Sequence, residues 1–162
     1  LTIAITDATI DDYEEALLEV SSITIIVAGG QETEVLDTPQ TIDLLKLRNV
    51  SELLLRERLL ARSISKIRLG VDSIVLSKLD GTTDTPPVPT QKIDLNPQGP
   101  LEVRAGEDLL VTLDVDLKNS IKVHKSGNGR VLFRPVINMN SGVSGLVRIY
   151  GLYTVDNGDA SV

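Results

Sequence analysis

Hydrophobic and polar residues alternate with a period of two along much of this chain, the pattern of strands that bury one face. The clearest case is Asp108–Leu117, where apolar residues occupy every second position. Leu1, Ile3 and Ile5 alternate in the same way with threonine and alanine. A third apolar run, Ile23–Val27, is rich in β-branched residues, which favour strands. We therefore expect strands at these three places.

In two longer segments, the two-residue period alone does not decide the secondary structure. Tyr13–Val20 fits a helix or a strand by pattern, but a strand-like run follows within a few residues, so we favour a long, bent strand. Ile64–Leu76 is typical of one strand interrupted at Gly70, where an isolated glycine indicates a bulge or a close backbone approach. The only helix that the sequence predicts is a short one near residues 51–60, with Ser51 as the candidate N-cap.

Turn signals separate the predicted strands at intervals of about 8–12 residues, as expected of an all-β sandwich. Asp80-Gly81 and Lys125–Gly129 are the clearest of them. The sequence thus predicts a mainly β fold, an antiparallel β-sandwich with at most one short helix. Residues 1–140 form the predicted domain. Residues 141–162 form a C-terminal strand extension and tail, which either closes the chain's own sheet or crosses to a neighbouring subunit.

Composition narrows the classes of function. Apolar residues make up 41% of the chain, enough for a packed core, whereas aromatic residues make up 2%, which disfavours carbohydrate binding. The net charge of −7 argues against a nucleic-acid partner, because phosphates are held mainly by Lys and Arg. The absence of cysteine excludes thiol catalysis and disulfides. No window approaches the ~20 apolar residues of a transmembrane helix, and no set of catalytic residues is evident.

Five short motifs occur in an order that resembles the family called domain of unknown function 4382. They lie at Ile5–Tyr13, Thr38–Asn49, Ser65–Leu69, Leu113–Leu117 and Val131–Ile137. The resemblance covers about residues 1–140. It implies an immunoglobulin- or prealbumin-like β-sandwich in a secreted protein or surface lipoprotein of bacteria or archaea, and therefore an extracellular or cell-surface location. Members often carry a lipid on an N-terminal cysteine, which this chain lacks, so the resemblance does not support membrane anchoring. It also carries no catalytic residues.

Acidic residues at two places suggest calcium. Asp7, Asp11 and Asp12 cluster where the first strand ends, and Asp156 and Asp159 lie in the tail. Calcium takes six to eight oxygen ligands, which acidic loops supply. The alternative is that the first three aspartates cap turns or face water, and that the last two belong to a frayed terminus.

Strand-like segments at both ends of the chain suggest that copies of the protein associate through their terminal strands. A strand can pair with its own sheet or add to the exposed edge of another subunit. The candidate interface residues are Leu1, Ile3, Ile5, Val143, Leu146, Val147 and Ile149.

The function expected from these features is a non-enzymatic, extracellular structural or adhesive surface protein. In that hypothesis the protein is a homo-oligomer or polymer, such as a filament subunit assembled by strand addition and stabilised by calcium. The alternative is a monomeric cell-surface domain for ligand binding or adhesion.

Overall fold

The computed structural model describes residues 1–8, 10–123 and 129–143. In that part of the chain strands predominate, and helical structure is confined to a 3-10 turn at Leu44–Leu47 and a four-residue helix, α1, at Leu117–Ser120. The strands are β1 (Thr2–Ala8), β2 (Tyr13–Val27), β3 (Glu32–Leu36), β4 (Gln40–Asp43), β5 (Glu52–Arg56), β6 (Arg62–Lys78), β7 (Thr83–Asp84), β8 (Lys92–Leu95), β9 (Leu101–Val103), β10 (Leu109–Asp116), β11 (Ile121–Val123), β12 (Val131–Phe133) and β13 (Ile137–Val143).

One sheet has the strand order β13-β10-β1-β5. β1 lies in its interior, where it pairs with β10 on one side and with β5 on the other. The β1–β10 pair is parallel, from Thr2 opposite Leu110 to Ala8 opposite Asp116, whereas the other two pairs are antiparallel. The sheet therefore departs at one pair from the purely antiparallel arrangement that the sequence predicts.

The second sheet is built on the antiparallel pair of β2 and β6, the two longest described strands. Each changes partners along its length. β2 pairs with β4 near its start and with β3 near its end, whereas β6 pairs in turn with β9, β8 and β7. Register shifts interrupt the β2–β6 pair, and bulges of this kind bend strands. The strand predicted for Tyr13–Val20 is confirmed, and it continues through Val27 as a single strand.

Gly70 lies at a close approach of β2 and β6. A Cβ atom at this position would meet the hydroxyl oxygens of Ser21 and Ser22 on the facing strand. The register also shifts here, because Ser22 faces Gly70 whereas Val20 faces Val71. Gly70 is thus the site of a close backbone approach, as its isolation within the strand pattern predicts.

The two sheets enclose one hydrophobic core. Alternate residues of β10 are buried along its whole length, as are Ile3 and Ile5 of β1. From the second sheet, alternate residues of β2 and β6 join the same cluster, and Phe133 of β12 is fully buried in it. The fold is therefore a mainly β sandwich, as predicted. No helix in the described ranges is long and apolar enough to cross a membrane.

The prediction of a short helix near residues 51–60 is wrong. Residues 52–56 form β5, which pairs with β1 through a register shift between Ile3 and Ala4. Leu53 faces Ala4 and Leu55 faces Ile3, so that Leu54 is the extra residue of a bulge. Because of the bulge, two consecutive leucines, Leu54 and Leu55, are both buried. The short α-helix lies instead at α1, between β10 and β11.

The segment after β10 leads to the edge of the first sheet. β11 and β12 form a two-stranded antiparallel ribbon, and β13 then returns to pair with β10. β13 runs through residue 140 without a break, from Ile137 opposite Val115 to Val143 opposite Leu109. The boundary predicted at 140 therefore falls inside a strand, and the first residues of the predicted extension belong to the sandwich.

Candidate functional site

The three aspartates predicted to bind calcium after the first strand do not point to one place. Asp7 is buried, and its Oδ1 accepts a hydrogen bond of 3.4 Å from the backbone N–H of Leu117, at the start of α1. Asp11 and Asp12 are exposed to solvent. Asp7 therefore ties the end of β1 to α1, which is a structural role.

No group of three or more His, Cys, Asp or Glu side chains within residues 1–8, 10–123 and 129–143 is arranged to hold a metal ion. Asp156 and Asp159, the other predicted calcium ligands, lie outside the described residues. Calcium binding by this protein stays a prediction.

Leu1, Ile3 and Ile5, predicted as interface residues, are all buried in the core of their own chain. β1 is an interior strand, paired with β10 along its whole length and with β5 over residues 2–5. Within the single chain these three are core residues, which corrects the interface predicted for them.

The other predicted interface lies at the opposite end of the chain. Val143 is 63% exposed at the end of β13. Leu146, Val147 and Ile149 lie outside the described residues. β13 itself is an edge strand: it pairs with β10 on one side, and no described strand pairs with its other side. An edge of this kind is a template for another extended chain.

Among the described edge strands, only β13 and the three-residue β12 lack charged residues. The sequence of β13, Ile-Asn-Met-Asn-Ser-Gly-Val, contains no Asp, Glu, Lys, Arg or Pro, and its pairing with β10 has no bulge. Charges, prolines and bulges are the devices with which proteins protect sheet edges. At least one charged residue is present in each of β3, β4, β5, β7, β8 and β9. β13 is thus the long edge strand with the least protection.

A cleft of about 530 Å³ lies between β13 and the segment that follows β8. Side chains with amide groups predominate in its lining, together with the half-buried apolar residues of β13. The lining residues are Asp94, Leu95, Asn96, Gln98, Ile137, Asn138, Met139 and Asn140. Because β13 belongs to one sheet and β8 to the other, the cleft marks the side of the sandwich where the two sheets are open to a further strand.

The cleft lining contains one charged residue, Asp94, whose negative charge is balanced by two cations. Asp94 Oδ1 accepts a hydrogen bond of 2.7 Å from Arg68 Nε, and its Oδ2 lies 2.9 Å from Lys66 Nζ. These hydrogen bonds lower the pKa of Asp94 to about 2, and the one from Arg68 has the larger effect. Arg68 also pairs with Glu32 at 3.2 Å. At neutral pH the cleft therefore presents amides and apolar groups, with a carboxylate whose charge is balanced.

Five basic residues lie close together in the sequence, at Arg56, Arg58, Arg62, Lys66 and Arg68. Besides Lys66 and Arg68, Arg56 pairs with Asp108 at 3.3 Å. Most of these cations thus have carboxylate partners in the same chain, and the cluster does not form an open basic patch.

The cleft is not among the features that the sequence predicts. Its two walls, residues 94–98 and 137–140, lie about forty positions apart, and neither carries a motif with recognised chemistry. The sequence signal at this place is the absence of charge over residues 137–143, but a longer uncharged run at residues 20–31 shows that this signal alone does not identify a cleft.

Comparison with known proteins places the chain in a family. The family model described as Domain of unknown function (DUF4382) matches residues 1–135, ending just before β13. No curated protein and no solved structure matches the chain. Since the match covers most of the sequence, the chain belongs to the DUF4382 family, as the resemblance predicts.

Proposed function

We propose that this protein is a non-enzymatic, extracellular structural or adhesive module that assembles with further copies of itself, as in a filament, by strand addition at β13. The observation that carries the proposal is the edge of β13. It offers seven residues in regular register with β10, without charge, proline or bulge. Main-chain hydrogen bonds along such an edge supply affinity, and the neighbouring side chains supply specificity.

The location outside the cell rests on the family resemblance. Surface digestion of intact cells by a protease tests it: the protein is expected to be cleaved while a cytoplasmic marker survives. Protection of the protein in intact cells, with cleavage after lysis, would contradict the location.

Assembly is tested by sedimentation velocity and electron microscopy of the full chain. We expect species larger than a monomer, with a mass that rises with concentration. Asn138→Lys together with Asn140→Lys places two charges on the β13 edge and should shift the protein to monomer, because lysine on an edge opposes pairing. Leu53→Lys is the matched control, since Leu53 is 56% exposed on β5 at the opposite edge of the same sheet. A wild-type protein that stays monomeric at every concentration would overturn the proposal.

A monomeric cell-surface domain for ligand binding or adhesion is the second candidate. A smaller cleft of about 350 Å³ supports it, lined by Pro89, Thr90, Ile93, Arg134 and Pro135. Its single cationic side chain suits an anionic group of a ligand. In that case the protein sediments as a monomer. Arg134→Ala should then weaken binding of the purified protein to cells without changing the sedimentation coefficient.

A further inference from the structure

We propose that the free edge of β13 pairs with the same edge of a second copy, antiparallel and centred on Asn140, so that one sheet continues from copy to copy. This inference rests on the proposed assembly at β13 and names the partner strand and its register. It is supported by the direction of the β13 backbone groups, by the match of side chains in this register, and by the charge balance around the edge.

The backbone groups on the free edge of β13 come from its odd-numbered residues. The N–H of Asp116 donates a hydrogen bond of 2.9 Å to the carbonyl oxygen of Val136, which lies opposite it when the register of β10 and β13 is continued by one residue. In an antiparallel pair, hydrogen-bonded and non-hydrogen-bonded positions alternate. The groups that point towards β10 therefore belong to Asn138, Asn140 and Gly142. Those that point to the free edge belong to Ile137, Met139, Ser141 and Val143.

A second β13 can use all of these outward groups in one register. With a two-fold axis at Asn140, Ile137 lies opposite Val143 of the other copy, and Met139 lies opposite Ser141. Each such pair exchanges two hydrogen bonds, so the contact contains about eight of them. An axis at Met139 or at Ser141 leaves one end residue of each copy without a partner in β13. Among the pairings of β13 with itself, the one centred on Asn140 thus satisfies the most backbone groups.

The side chains also fit in this register. Val143, which is 63% exposed in the single chain, gains Ile137 of the other copy as an apolar neighbour on the inward face. On the outward face, Asn138 lies beside Gly142 of the other copy, which leaves room for the amide. The two copies of Asn140 meet at the axis, where their amides can donate and accept hydrogen bonds with each other.

Charge does not oppose close contact at this edge. Each copy has a net charge of −7, so two copies repel each other at long range. β13 itself contains no charged residue, and the carboxylate of Asp94 in the adjoining cleft is paired with Arg68 and Lys66. Pairing of the two edges therefore brings no unbalanced charge from β13 or from the cleft lining into the contact.

A two-fold contact of this kind uses the same surface on both copies and closes on itself. β13 therefore joins copies in pairs, each with a sheet that runs from β5 of one copy to β5 of the other. The first assembled species is a dimer, and a filament requires a second contact elsewhere on that dimer.

A single cysteine tests the partner and the register, because the chain contains none of its own. Asn140→Cys places two thiols at the axis, with Cα atoms about 4.5 Å apart, a separation that a disulfide can span. We expect the full chain to form a disulfide-linked dimer on mild oxidation, seen on a non-reducing denaturing gel. The matched control is Asn138→Cys on the same exposed face. Its two Cα atoms would lie about 14 Å apart, so it should run as a monomer.

Each other result contradicts a defined part of the inference. Equal yields of dimer from Asn138→Cys and Asn140→Cys would overturn the antiparallel register. A dimer that forms only when the two variants are mixed would move the axis to Met139. Assembly of the wild type without a disulfide from either variant would overturn the pairing of two β13 edges but leave strand addition by another segment. A wild type that sediments as a monomer at every concentration would overturn the proposed function itself.

A second pair of variants tests the direction of the backbone groups. Ser141→Pro removes an N–H that points to the free edge, a position where edge strands tolerate proline. It should raise the dissociation constant of the dimer about tenfold or more, because the two-fold axis removes the same hydrogen bond twice. Ser141→Ala keeps the N–H and should leave that constant within about threefold.

Thermal unfolding of the same two variants separates assembly from folding. Ser141→Pro and Ser141→Ala should unfold at similar temperatures when both are monomeric. Equal dissociation constants would contradict the role of the Ser141 N–H in the contact. A much lower midpoint for Ser141→Pro would show that this N–H points towards β10, against the assigned direction.

Discussion

The backbone N–H of Val136 donates a hydrogen bond of 2.8 Å to Oγ of the fully buried Ser120. The same hydroxyl donates to the carbonyl oxygen of Asp116 at 2.6 Å. The carbonyl oxygen of Ser120 accepts a further hydrogen bond of 2.8 Å from the N–H of Arg134. Ser120 thus fastens the segment between β12 and β13 to the end of β10, and so it determines where the edge strand begins.

Replacing this serine should destabilise the fold. Ser120→Ala removes the hydroxyl and leaves the Val136 N–H without its acceptor, which we expect to lower the free energy of unfolding by about 1–3 kcal/mol. Urea denaturation measures the change, with Ser51→Ala at an exposed position as the control. A loss at Ser120 no larger than that at Ser51 would contradict the role assigned to the hydroxyl.

A methyl group at Gly70 should also be costly. Because its Cβ would meet the hydroxyl oxygens of Ser21 and Ser22 and lie 3.2 Å from the backbone nitrogen of Ser22, these side chains or the strands themselves must shift in Gly70→Ala. We expect a loss of about 1–3 kcal/mol in the free energy of unfolding. Gly99→Ala is the matched control, since its Cβ would have no heavy atom within 4 Å. Similar stability of the two variants in urea would show that the strands have room at Gly70.

Asp94 should make part of the stability depend on pH. Its folded-state pKa of about 2 lies below the ordinary value of 3.8, so its ion pairs stabilise the folded protein above about pH 4. This contribution is lost as the pH falls from 4 towards 2, when the carboxylate takes up a proton. The pairs are partly exposed, so we expect at most about 1 kcal/mol.

Asp94→Asn should therefore lower stability at neutral pH and flatten the dependence of stability on pH between 4 and 2. Denaturation at several pH values measures both effects. Asp72→Asn, an exposed aspartate of β6, serves as the control. If Asp94→Asn keeps the same acid dependence as the wild type, the ion pairs with Arg68 and Lys66 do not contribute to it.

Calcium binding is predicted from the sequence, and the exposure of the aspartates after β1 indicates which of them to test. We expect calcium at about 10⁻³ M, in the range of weak extracellular sites, to raise the midpoint of thermal unfolding. Asp11→Asn with Asp12→Asn should abolish the rise. Asp7→Asn should keep it, because the carboxylate of Asp7 is directed at the Leu117 N–H. An unchanged midpoint for the wild type in calcium and in chelator would contradict the prediction that calcium stabilises the protein.

The sequence predicts this fold where burial follows a strict period. β10 buries every second residue, and its pattern predicts the strand almost to its ends. β5 fails for the opposite reason, because its bulge buries the consecutive residues Leu54 and Leu55 and so removes the two-residue period. What remains there is a leucine-rich run with helical propensity, which pairing with β1 overrides.

The candidate site was less predictable, because its contacts join distant parts of the chain. The carboxylate of Asp7 bonds to a residue 110 positions away, and no local pattern distinguishes it from the exposed Asp11 and Asp12. The cleft likewise needs β8 and β13 to be brought together by the packing of two sheets. The edge position of β13 depends on the strand order, whereas its lack of charge can be read directly from the sequence.

The interior position of β1 has a consequence for how the chain folds. Thr2 pairs with Leu110, so β1 leaves the ribosome about a hundred residues before its parallel partner exists. At about 5–20 residues per second, this strand waits roughly 5–20 s with its isoleucines exposed. The first sheet therefore closes late, through contacts of long sequence separation that fold slowly. Until then Ile3 and Ile5 lack the cover of β10, and exposed apolar strands of this kind favour aggregation of the nascent chain.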